Sequence, residues 1–132
     1  MTATHCLGIG HETDAEFAAA LALVQQCCRQ AGLGAHEIAM IGSLEAKATG
    51  DIVAGLARHF GWPAQYFTAA TLEAETPRLL NPSDAVFRAV GCHGVAEGAA
   101  LAAAGPHASL VIPKTSKAGV TCAIARRGGD GR

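Results

Sequence analysis

The residues of this chain that could do chemistry are two lysines, one glutamate and a set of glycine turns. Lys47 stands in a loop between two alanines, and Lys114 follows Pro113. A lysine ammonium is a compact point charge suited to a ligand carboxylate. The ordinary alternative for both is a solvated surface charge, and that is the reading for Lys117, in the expected hairpin turn. Glu97 lies in the run GCHGVAEGAALAAAG, residues 91–105. On the first turn of a helix its carboxylate complements the positive N-terminus. Beside a ligand it could instead serve as a general base. Gly8-Ile-Gly10 and Gly91–Gly94 read as turns whose backbone N–H groups can meet an anion.

Several chemistries are excluded by what is missing. Gly8-x-Gly10 opens like a dinucleotide fingerprint, but position 13 is Thr and the second strand ends at Ser43 without an acid. Cys92-His93 are adjacent, and no partner pair has metal-ligand spacing, so no metal and no cofactor are expected. No G-x-S-x-G elbow marks a serine hydrolase. The formal net charge is -1 without a basic run, which argues against nucleic acid. No apolar run approaches the ~20 residues of a membrane span. The opening MTATHCLGIG lacks the basic-then-apolar order of a secretory signal. Five cysteines without C-x-x-C spacing fit free thiols. Together these features lead us to expect a cytoplasmic protein.

The elements that must position these residues follow from periodicity. Residues 4–10 read as a buried strand ending in glycines. Thr13 and Glu16 match a capping box, and Phe17, Leu21, Val24 and Cys28 form one face of the helix that follows. Residues 37–43 are a second strand. A helix through Ile52, Val53, Leu56, Ala57 and Phe60 closes at Gly61 and Pro63. Residues 64–68 are a third strand, and Thr71 to Glu75 a helical turn. Ser83 is placed to cap a short helix, and the alanine-rich helix after Gly94 ends at Gly105-Pro106. Residues 109–113 and 120–125 are two further strands, joined by the tight connection TSKAG.

The first three strands alternate with helices and should pair in parallel through right-handed crossovers. The last two are joined by too few residues for a crossover and should form an antiparallel hairpin. The expected fold is therefore α/β: a three-layer α/β/α sandwich with a mixed, mostly parallel sheet of about five strands. With 132 residues, half of them apolar, the chain suits one domain over 3–126, with a flexible tail over 127–132. Ligands of open α/β sheets bind beyond the carboxyl ends of the strands. That places Gly8, Gly10, His11, Lys47, Gly91, His93, Gly94 and Lys114 near one crevice.

In this order and spacing the motifs resemble the cobalamin-biosynthesis family made of CobE and the C-terminal domain of CbiG. The resemblance rests on Gly8-Ile-Gly10, on IGSLEAK ending in Lys47, on LARHFGWPAQYF and on VGCHGVAEGAALAAAG. It ends with Lys114 and VTCAIA, where Thr121 and Ala123 match. Family members often carry Cys-Arg after the first Gly-x-Gly, whereas this chain has His11-Glu12, so an arginine clamp is absent or altered. The resemblance implies a role in corrin-ring synthesis, with a stand-alone, CobE-like member on the oxygen-dependent route. It implies a carboxylate-rich, precorrin-type tetrapyrrole as partner, and other corrin-pathway enzymes as further candidate partners. Gly8, Gly10, His11, Lys47, Gly91, His93, Gly94, Lys114 and Thr121 would bind it. The alternative it implies is CbiG-like hydrolysis of a ring lactone with release of acetaldehyde, with Glu97 as the catalytic residue.

Overall fold

The computed structural model describes residues 3–128. In it β1 (His5–His11), β2 (Ile38–Leu44) and β3 (Ala64–Phe67) alternate with α1 (Phe17–Ala31) and α2 (Asp51–Phe60). Three helices follow, α3 (Ala69–Glu73), α4 (Asp84–Val90) and α5 (Ala96–Ala104), and then the hairpin of β4 (Ser109–Lys117) and β5 (Val120–Arg126). The sheet order is β3-β2-β1-β5-β4. β1 pairs with β2 and β2 with β3 in parallel, while β5 is antiparallel to both β1 and β4. Four strands therefore point one way and β5 alone is reversed, as expected for a mixed sheet.

Side chains alternate across a strand, and β1 uses the alternation to make two unlike faces. Leu7 and Ile9 join Ile41, Val120, Cys122 and Ile124 in a core against α1 and α2. Gly8 and Gly10 face the other way, with Gly42, Ala123 and Ala125. That face is covered by α5, whose buried residues are Ala96, Glu97, Gly98, Ala99, Ala100 and Leu101. Two small-residue surfaces meet there, so the helix backbone lies almost on the sheet. A Cβ added at Gly8 would stand 1.9 Å from the Ala96 carbonyl oxygen, and one at Gly42 3.2 Å from that of Ala99.

The expected elements need correction at several ends. Thr13 does not cap α1. The carbonyl of Glu12 accepts from Ala15 N–H at 3.1 Å, so a turn intervenes and Glu16 is the N-cap, without a side-chain bond. The buried stripe of α1 is Ala20, Leu23, Val24, Cys27 and Cys28, and Phe17 stays exposed, its ring lying over Gly55. Thr68 begins the third helix, its hydroxyl accepting from Thr71 N–H. Ser83 caps α4 as expected, accepting from Val86 N–H at 3.2 Å. The fourth strand runs on through Thr115, Ser116 and Lys117, and only Ala118 and Gly119 turn. Both have positive φ, 54° and 78°, as a two-residue hairpin of this hand requires. The expected tail is tied at its start: Arg127 N–H donates to the Thr4 carbonyl at 2.8 Å. Residues 129–132 lie outside the described residues.

Candidate functional site

A half-open cleft of about 710 Å³ lies beyond the carboxyl ends of β1 and β2. That is within the ~300–1,000 Å³ of small-molecule sites. One wall is the end of β1 with the β4–β5 hairpin, and the other is α4 with the loop after β2. The first turn of α5 forms the back. Leu44, Val86, Val90 and Val95 make the surface largely apolar.

Of the residues singled out in the sequence, Gly10, His11, Lys47, Gly94, Glu97, Lys114 and Thr121 come together at this cleft. Gly8, Gly91 and His93 do not line it. Gly8 is covered by α5. Gly91 ends α4 with φ 88°, a left-handed cap in which its N–H bonds the Phe87 carbonyl at 2.9 Å. His93 lies behind α4. Its ring stacks on Phe87 with centroids 4.5 Å apart, and its Nδ1 and backbone N–H are each 2.9 Å from Glu73 Oε1. Its carbonyl accepts from Ser83 N–H at 2.8 Å, so it holds α4 to α3. The His93 hydrogen bond holds the Glu73 carboxyl below the usual carboxylate range.

Lys47 closes a 3₁₀ turn, Glu45–Lys47, directly after β2, and is partly exposed. Lys114 is partly exposed and Lys117 exposed on β4. Among the described residues no carboxylate lies within 4.0 Å of any of the three ammonium groups. At the same cleft, Thr121 Oγ1 donates to the Gly10 carbonyl at 3.3 Å. His11 Nδ1 donates to the carbonyl of Glu12 at 2.9 Å, since a carbonyl can only accept. That fixes the ring proton on Nδ1 and leaves Nε2, shielded from solvent, without a partner.

Glu97 is 2% exposed and is the most committed polar group here. Oε1 accepts from the N–H groups of Leu80 at 3.0 Å and Asn81 at 2.9 Å. Oε2 accepts from Asn81 Nδ2 at 2.9 Å and from Lys114 N–H at 2.8 Å. Burial pushes this carboxyl up, but the donors from Lys114, Asn81 and Leu80 outweigh it, and Glu97 stays below the ordinary range. The side chain thus leaves its own helix turn and ties three segments together. Asn81 and Lys117 also line the cleft; the sequence marks Lys117 as a solvated charge and gives Asn81 no role. A polar residue before Pro82 carried no signal of a partner on another element.

Residues 5–125 match the family described as Cobalamin synthesis G C-terminus. The chain is 43% identical to Protein CobE from Sinorhizobium sp over 119 residues, covering 90% of this chain and 77% of that one. It superposes on the crystal structure of CobE, a protein from the cobalamin (vitamin B12) biosynthetic pathway, with a TM-score of 0.87. Identity there is 30%, over 96% of this chain and 92% of that one. Against the cobalamin biosynthesis protein chiG from Agrobacterium tumefaciens the TM-score is 0.71 at 29% identity, over 96% and 99%. With its sheet order, its glycine-and-alanine interface and its cleft in place, this chain belongs to the cobalamin-biosynthesis family of CobE and the CbiG C-terminal domain.

Proposed function

We propose that the cleft binds a carboxylate-rich, precorrin-type tetrapyrrole during cobalamin synthesis, as a CobE-like member on the oxygen-dependent route. The observation that carries this reading is the set of three lysines, Lys47, Lys114 and Lys117, around an apolar cleft without carboxylate partners among the described residues. Such macrocycles carry acetate and propionate groups on their rim and an apolar ring face. Charge-assisted hydrogen bonds suit the first and the valines and Leu44 suit the second. Gly94 and the start of α5 add a positive helix end. The five unpaired cysteines support a reducing, cytoplasmic setting. Other corrin-pathway enzymes are the natural donors and acceptors of such a ligand.

Binding, rather than lactone hydrolysis, is favoured by the state of Glu97. A carboxylate offers about four lone-pair sites, and all are taken by N–H donors. A general base needs a free one. Titrating the protein with isolated pathway intermediates, followed by absorbance, tests the reading: stoichiometric spectral change without turnover supports it. Catalytic release of acetaldehyde from a lactone-containing intermediate would replace it with the hydrolase reading.

A further inference from the structure

The pairing of β4 with β5 is irregular where it meets the cleft. Ile112 stands opposite Ile124 and Thr115 opposite Cys122, so Pro113 and Lys114 together face Ala123. This is a β-bulge, the kind of irregularity that frees one residue from the ladder. Pro113 has no N–H to lose. The N–H of Lys114 goes to Glu97 Oε2 at 2.8 Å. The same carboxylate accepts from the backbone N–H groups of Leu80 and Asn81.

From this geometry we infer that Glu97 is a positioning residue: by accepting the bulge N–H it sets where Lys114 stands relative to a ligand carboxylate. The inference rests on the binding reading above. A buried acceptor with four donors would be needed for packing alone, but packing alone does not require that one donor be the backbone of a cleft lysine. Because the bulge lies on an edge strand, its backbone has no neighbour beyond it to hold it in place. Glu97 supplies that restraint from the α5 side. Lys47, by contrast, sits on the short turn after β2 and none of its bonds pass through Glu97.

The test uses uroporphyrin I, an octacarboxylate porphyrin, titrated by absorbance against wild type, Glu97→Gln, Lys114→Ala, Lys47→Ala and the paired variants. Glu97→Gln should weaken binding about 5–10-fold, the effect of one misplaced charge-assisted bond. Combined with Lys114→Ala it should add nothing further, whereas with Lys47→Ala the two losses should multiply. If Glu97→Gln does not fold, Asn81→Ala, which removes one donor from the same oxygen, should show a smaller loss with the same coupling. A ligand-free measurement runs alongside. In wild type the Lys114 amide should be protected from hydrogen exchange together with those of Leu80 and Asn81. Independent losses for positions 97 and 114, unchanged binding by Glu97→Gln, or a freely exchanging Lys114 amide would each overturn the inference. Failure of wild type to bind the porphyrin, with that amide protected, would count against the binding reading and leave the restraint on Lys114 standing.

Discussion

Gly8 lies so close to Ala96 that any side chain at position 8 would enter the backbone of α5. The distance from an added Cβ to the Ala96 carbonyl oxygen is 1.9 Å, and to the Ala100 nitrogen 2.6 Å. Neither neighbour is a flexible side-chain end, so relief requires moving the helix off the sheet.

Gly8→Ala should therefore cost at least the about 1–3 kcal/mol of an overpacked core. Gly42→Ala should cost less, since its nearest contact is the movable Phe67 ring at 3.0 Å. Denaturant midpoints of the two variants check the order. Equal losses would mean that α5 does not sit this close.

Lys47→Ala and Lys114→Ala should weaken porphyrin binding while leaving stability within about ±0.5 kcal/mol, as for exposed substitutions without structural partners. The loss should shrink as salt is raised, because part of the attraction is screened. Parallel melts and titrations at two salt concentrations separate the effects. A drop in melting temperature with either variant would make that lysine part of the fold.

Glu97→Ala should destabilise by more than about 2 kcal/mol, because it leaves several buried donors unpaired. A carboxylate that only complemented its helix end would be worth about 0.3–1 kcal/mol. Chemical denaturation distinguishes the two magnitudes.

The Glu73–His93 contact should make stability depend on acid. The folded carboxyl is depressed, first by the His93 hydrogen bond, so the folded state favours the ionised form. Its contribution is fully present above the ordinary carboxylate value of about 4.3 and is lost as pH falls through the lower folded value. The stability difference between wild type and Glu73→Gln should accordingly narrow on acidification. A difference that stays constant would show that the contact contributes no charge-dependent stability.

All five cysteines are buried, and burial pushes the Cys28 thiol up to about 11. The native protein should react slowly with a disulfide reagent such as DTNB, and release all five equivalents once unfolded. Fast labelling of the native state would contradict this.

Much of the fold was legible because it rests on local pattern. The alternation of Leu7 and Ile9 with Gly8 and Gly10, the left-handed glycines at 61 and 91, and the Ser83 cap are all written within a few residues. The cap on α1 was misread because a turn through Glu12 and Ala15 is compatible with the same letters as a capping box. β4 was cut short because Thr115, Ser116 and Lys117 lie on a polar edge, where no apolar alternation marks a strand. In the cleft, lysines after strand ends could be anticipated from topology. The partners of Glu97 could not, since they lie 16 and 17 residues away on two other segments. His93 misled for a related reason: a histidine beside a glycine turn looks available until its partners Glu73 and Phe87 are known.

The bulged strand has a consequence for how molecules of this protein meet one another. β4 is the long, open margin of the sheet, and a straight margin invites a second molecule to add its own strand and begin an aggregate. Two register shifts, a proline and two lysines interrupt that margin within nine residues. Another chain would find neither an even row of donors and acceptors nor a neutral surface to align against. The irregularity that lends Lys114 its N–H contact thus also makes that margin a poor template for a second chain.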